Sequence, residues 1–212
     1  MTDLDLLWLR TLEELGDRAA HEIKDTLNGV SLSLEVVRGR SGGGHNPQSS
    51  SVSDFAATAA AHLDLVTERI EAMLVLSRRP REPADVAITL RRLAALLVPA
   101  AKADGGLLTV EGTGGTFCTG ASGQATRLAL AAVLLALVRN GGGTCRLETT
   151  DGGAVHASNG TSAVVRFSHE AADACRIDPE IVSAIAKHGI RVDRGKAAGG
   201  GSETLLVFPA HT

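Results

Sequence analysis

Of the seven histidines in the sequence, His21 is the one whose setting suits nucleophilic chemistry. It follows Ala19 and precedes Ile23 by two positions each, inside a run of helix-period apolar residues. At about 100° per residue, it is turned roughly 200° from either neighbour. That places it on a polar stripe with Asp17, Lys24, Asp25 and Asn28. A neutral imidazole nitrogen is a competent nucleophile near neutral pH, and a nearby carboxylate can hold its other N–H. Glu22 is adjacent in sequence. A side chain that passes a phosphoryl group to a second protein must be exposed, rigid and approachable, and a long helix in a bundle supplies all three. From periodicity alone, however, an exposed histidine among charges reads as solvated surface.

Competing chemistries find less support. An H-E-x-x-H zinc site needs a second histidine one turn on, and position 25 is Asp. No zinc spacing is present, and no metal ligands are expected. His45, His62, His156, His169, His188 and His211 share no spacing and read as structural or solvated. The segment KAAGGGSE has no lysine at Walker spacing and does not lead from a strand into a helix, so it is no P-loop.

The elements that must position His21 begin with a helix over 3–38. Trp8, Leu12, Leu15 and Ala19 form one stripe, continued by Ile23, Leu27, Val30, Leu34 and Val37 after a one-step drift. A glycine- and serine-rich break over 39–53 predicts a flexible turn. A second helix follows over 54–77, with Ser53 or Asp54 as its cap and a seam of Ala59, Leu63, Val66, Ile70 and Met73. Two long helices and one loop make an antiparallel hairpin. A hairpin buries one stripe per helix, so pairing of two copies into a four-helix bundle is the natural completion, and a homodimer is expected.

The segment RRPREP at 78–83 reads as a linker, dividing the chain into domains at 1–79 and 84–212. Beyond it the pattern predicts helices over 85–102, 123–140 and 179–188. Strands are expected over 107–111, 145–149, 154–158, 163–168 and 203–209, several separated by Asp-Gly-Gly and Asn-Gly turns. The fold class is therefore α+β: a helical hairpin followed by an α/β sandwich whose helices cover one face of a sheet.

Composition narrows the function classes. The formal net charge is −3 and aromatic residues make up 2%, with no Tyr. Neither an electrostatic footprint for nucleic acid nor a stacking platform is present, so nucleic acid is not an expected partner. The apolar run Leu128–Val138 is too short for a span of about 20 residues and reads as a buried core helix. The N-terminus lacks a basic, cleavable signal. With Cys118, Cys145 and Cys175 scattered, reduced thiols in the cytoplasm are expected.

The string AAHEIKDTLNGVSLSLEVV, Ala19 to Val37, resembles the phosphoacceptor helix of sensor histidine kinases, whose signature is H-E-[ILF]-[KR]-[NT]-P-L-x-[GA]-[IV]. His21, Glu22, Ile23, Lys24, Leu27, Asn28, Gly29 and Val30 match it. The resemblance implies phosphorylation of His21, with Glu22, Lys24 and Asp25 as its catalytic neighbours. Two positions depart from the pattern. Asp25 replaces the Asn or Thr that serves attack on ATP and dephosphorylation of the partner. Thr26 replaces the Pro, which predicts a straighter helix. The metal-free nucleophile needs neither.

The second half resembles the ATP-binding domain of the same kinases more faintly. Asn140 falls on the second Asn of the family's V-L-x-N-L-L-x-N-A box and is the one candidate cofactor-binding residue, with helix capping as its other reading; Ala136 replaces the first Asn. The D-x-G-x-G turn that seats adenine is replaced by His169-Glu170-Ala171-Ala172, without glycine. A relic of the last glycine box survives at Gly199-Gly200-Gly201, which also reads as a plain strand connection. These changes imply that ATP has lost its normal seat and that no cofactor is held, with magnesium arriving on the partner. The expected function is histidine phosphotransfer, with autokinase activity lost, in a bacterial two-component phosphorelay. Phosphate would pass between His21 and receiver-domain aspartates of response regulators, with an upstream hybrid kinase as a further partner. An active soluble kinase with a diverged ATP site and a non-enzymatic scaffold are the alternatives. For regulator docking, Leu27, Val30 and Leu74 are candidates, though bundle-core packing would also explain Leu27 and Val30.

Overall fold

The computed structural model describes residues 2–41, 49–80, 82–113, 115–149, 162–170, 176–197 and 201–211. The first helix, α1 (Asp3–Ser41), opens on a reciprocal capping box. The Asp5 amide donates to Thr2 Oγ1 at 3.2 Å, and the Thr2 amide to Asp5 Oδ2 at 2.8 Å. With no proline inside, α1 runs unbroken past His21. The second helix, α2 (Ser49–Ser77), starts earlier than its sequence suggests. Ser53 and Asp54 lie within it rather than at its cap, because the serine run forms its first turn, a position serine tolerates well. The break at 42–48 lies outside the described residues.

The two helices pack as an antiparallel hairpin, but the expected seam is split. Val30, Ser33, Ala59 and Val66 are buried between the helices, whereas Leu27, Leu34, Leu63, Ile70 and Leu74 are exposed. On α2 the exposed set Ala56, Ala60, Leu63, Thr67, Ile70 and Leu74 repeats in steps of four and three, the spacing of a coiled-coil stripe. Each helix thus carries two apolar stripes, one used within the hairpin and one open.

The rest of the chain runs β1 (Ala84–Asp85), α3 (Val86–Ala103), β2 (Leu107–Glu111), β3 (Cys118–Thr119), α4 (Gly123–Arg139), β4 (Gly142–Thr149), β5 (Ala163–His169), α5 (Pro179–Ala186), β6 (Arg191–Lys196) and β7 (Ser202–Phe208). The strand expected over 154–158 lies outside the described residues. The main sheet has the order β2-β4-β5-β7-β6, parallel only between β2 and β4; β1 and β3 form a small separate pair. Side chains alternate across the sheet with period two. Cys145, Leu147, Val165, Phe167, Leu206 and Phe208 point inward and are buried with the almost wholly buried α4. The outer face carries a ladder of Arg and Glu: Arg146 meets Glu111 at 2.6 Å, and Arg166 meets Glu148 at 3.2 Å and Glu203 at 2.5 Å. The architecture is α+β, a helical hairpin joined to a sheet covered on one face by helices.

Hairpin and sandwich share one core. Leu7, Trp8, Leu15 and Ala19 of α1 and Ala72 and Leu76 of α2 are buried in the same cluster as Leu90 and Leu97 of α3 and Leu128 and Leu134 of α4. The first turns of α1 therefore belong to the sandwich as much as to the hairpin. Among the described residues, no helix is long and apolar enough to cross a membrane.

Candidate functional site

His21 stands just beyond the point where the shared core ends. Ala19 is the last buried α1 residue before it, and the imidazole itself is 73% exposed. Its Nε2 lies 3.3 Å from Oδ2 of Asp25, one helical turn on. A carboxylate holding one ring nitrogen leaves the lone pair of the other available as a nucleophile. Lys24 lies on the same exposed side, three residues from His21. Neither Glu22 nor Lys24 has a described side-chain bond to the ring, so the carboxylate brought to His21 is Asp25 rather than its sequence neighbour.

Beneath this turn lies Arg69 of α2, only 6% exposed. Its Nη1 donates to Thr26 Oγ1 at 2.7 Å and to the Glu22 carbonyl at 3.2 Å. Thr26 Oγ1 donates to the same carbonyl at 2.7 Å. The helix backbone that carries His21 is thereby tied to α2. Sequence reasoning passed over Arg69; the available signal was an arginine three residues after the seam position Val66.

Ion pairs hold the sandwich against α1 immediately before His21. Arg18 Nη1 meets Asp104 Oδ2 at 3.1 Å, Glu14 Oε1 accepts from Arg139 Nε at 3.0 Å, and Arg10 lies 3.9 Å from Glu180. Arg18 and His21 are three residues apart, about 60° around the helix and 4.5 Å along it. Asp104 opens the turn into Gly105 and Gly106, which form the rim of a cleft of about 750 Å³. Arg18 of α1 is thereby tied to Asp104, the residue that precedes the cleft's Gly105.

The cleft is walled by glycine and small polar residues, with Asn140, His169, Glu170 and Gly201 among them. Two of its glycines are demanded by close strand approach. A Cβ on Gly142, whose φ is +97°, would come within 2.1 Å of the Leu107 carbonyl oxygen. A Cβ on Gly201 would lie 2.5 Å from that of His169. Gly199 and Gly200 lie outside the described residues. Asn140 ends α4 and turns its Nδ2 back to the Ala136 carbonyl at 2.7 Å. Strand β5 runs on through the buried His169. Among the described residues no group of three or more His, Cys, Asp or Glu is gathered as a metal site.

No protein-family model matches the chain. No curated protein matches it either. Solved structures do. The chain is similar to the cytoplasmic segment of histidine kinase QseC, with 20% identity and a TM-score of 0.40 over 71% of this chain and 94% of that one. It is also similar to the Acinetobacter baumannii histidine kinase AdeS, with 13% identity and a TM-score of 0.38 over 91% of this chain and 98% of that one. A third is full-length ShkA, solved in complex with AMPPNP, with 18% identity and a TM-score of 0.37 over 94% of this chain. The chain spans 46% of the ShkA chain. The likeness is one of fold.

Proposed function

We propose that this protein is a histidine phosphotransfer protein of a two-component phosphorelay, carrying a phosphoryl group on His21. The observation that carries the proposal is the exposed imidazole beside Asp25, on a helix otherwise locked to its neighbours. In the forward step the free ring nitrogen attacks the phosphorus of a receiver-domain aspartyl phosphate. An N–P bond forms, the acyl O–P bond breaks, and the aspartate leaves as a carboxylate. Asp25 steadies the positive charge that develops on the ring, and Lys24 offers a cation to the phosphoryl oxygens. The reaction needs positioning and electrostatics more than covalent machinery, and the receiver domain brings its own aspartate and magnesium. Glu22 is held through its backbone rather than at the ring.

The open stripe of Leu27, Leu34, Leu63 and Ile70 supports a homodimer closed as a four-helix bundle. Leu74, exposed on α2, then remains as a docking contact for the receiver domain, and Val30 is spent on the hairpin core. A response regulator is the primary partner and a hybrid kinase the upstream one, with no nucleotide held by this chain. One observation favours a second reading, an active kinase with a diverged nucleotide site: the cleft of about 750 Å³ lined by Asn140, His169 and Gly201.

Calorimetry with Mg-ATP separates the two readings: phosphotransfer alone predicts no heat of binding at millimolar nucleotide, and micromolar affinity establishes the kinase. Phosphotransfer itself is tested by incubation with receiver domains charged by acetyl phosphate. Acid-labile, base-stable label on this chain is expected, and its absence with every receiver tested sinks the proposal.

A further inference from the structure

A second cleft, of about 390 Å³, opens where α2 ends and α3 and α4 begin. Its volume sits at the lower end of the range for small-molecule sites. Four arginines line it: Arg78, Arg79, Arg92 and Arg127. Arg127 is buried and fixed, its Nη1 donating to the Leu76 carbonyl at 3.1 Å and the Arg78 carbonyl at 2.6 Å. Burial, and then the charge of Arg92, push its pKa below the usual arginine value, with Glu82 acting the other way. Among the described residues, none of the four arginines lies within ion-pair distance of a carboxylate.

The same cleft is lined by Asp85. Its Oδ1 caps α3, accepting from the Ile88 amide at 3.0 Å and the Phe117 amide at 3.3 Å. Its Oδ2 is buried and has no hydrogen-bond partner among the described residues. The nearby Thr89 hydroxyl cannot serve it, because it donates to the Asp85 carbonyl at 2.8 Å. A buried acceptor without a donor is a standing cost of about 1–3 kcal/mol. A phosphoryl group suits such a set of arginines best, since guanidinium binds phosphate through paired N–H bonds.

We propose that this cleft binds a small phosphate monoester, with the phosphoryl group among Arg78, Arg79 and Arg92. The site is distinct from His21 and from the glycine-lined cleft. The end of α2 at Ser77, next to Arg78, lies roughly 12 Å along the helix from Arg69, the residue beneath His21.

The probe is ribose 5-phosphate, titrated by calorimetry into the full chain at constant ionic strength, with ribose as the uncharged control. Saturable binding is expected, absent with ribose. Arg92→Gln and Arg79→Gln are each expected to weaken it about tenfold, the loss of one charge-assisted hydrogen bond. Arg79 is exposed on the connection after α2, so its variant tests the site even if Arg92→Gln unsettles the fold. Amide shifts on binding should centre on Thr89, Arg92 and Gly123. Three results would overturn the proposal: no saturable binding to the unmodified chain, equal affinity in Arg79→Gln, or shifts confined to Gly105, Gly106 and Gly141–Gly143.

Discussion

Arg69 and Thr26 are joined by a hydrogen bond of 2.7 Å from one helix of the hairpin to the other, with the guanidinium almost completely buried. Thr26 stands where the histidine kinase signature has Pro, and its hydroxyl and Arg69 both donate to the Glu22 carbonyl. A proline there would remove a helix hydrogen bond and crowd that same carbonyl. The position has instead been turned into a cross-link.

Thr26→Pro is therefore expected to destabilise the protein by about 3 kcal/mol or more, read as a lowered urea midpoint. Thr26→Val should cost about 1–3 kcal/mol, since it strands a buried donor. The pair Thr26→Val with Arg69→Met should recover most of that loss, because replacing both polar partners by apolar groups is often near neutral. Additive losses in the double variant would contradict a direct coupling.

The open apolar stripe makes a prediction about assembly. Leu63→Asp combined with Ile70→Asp places charges where the proposed bundle would bury leucine and isoleucine. Sedimentation should show a dimer for the unmodified chain and a folded monomer for the variant, since both residues are exposed in the single chain. A dimer that survives both substitutions would move the interface elsewhere.

The start of α1 should respond to acid. Hydrogen bonds from Thr2, its backbone amide first, hold the Asp5 carboxyl below its ordinary 3.8. A carboxyl depressed in the folded state contributes stability above its unfolded pKa and loses it as pH falls through the lower folded value. Amide exchange of the first α1 turn should therefore accelerate as pH is lowered below about 4, relative to an Asp5→Asn reference. Parallel profiles for the two chains would count against the capping box.

Much of this fold was legible because the sequence signals were local. The run Leu128–Val138 could only be a buried helix, and the positions two from Ala19 and Ile23 could only turn His21 outward. The split of the α2 stripe was not legible, because Val66 and Ile70 look equally apolar and only packing decides which meets α1. Strand β6 was missed since RVDRGK has no apolar alternation; it is a largely exposed edge paired only with β7. The early start of α2 was hidden in a serine run that suits loop and first turn alike. At the site, the carboxylate beside His21 is set by the i,i+4 geometry that brings Asp25 round, while adjacency in sequence pointed to Glu22. The contacts of Arg69, Arg18 and Asp104 join residues far apart in the chain, which no periodicity reveals.

The central claim is that His21 is the phosphoryl carrier, and phosphoryl transfer from one charged receiver domain to this chain, run with His21→Ala in parallel, tests it most directly. His21 is exposed and makes no core contact, so the variant should keep its stability within about 0.5 kcal/mol. The account predicts label on the unmodified chain within the assay and none on His21→Ala, with matching thermal melts. Equal labelling of the two chains would contradict it.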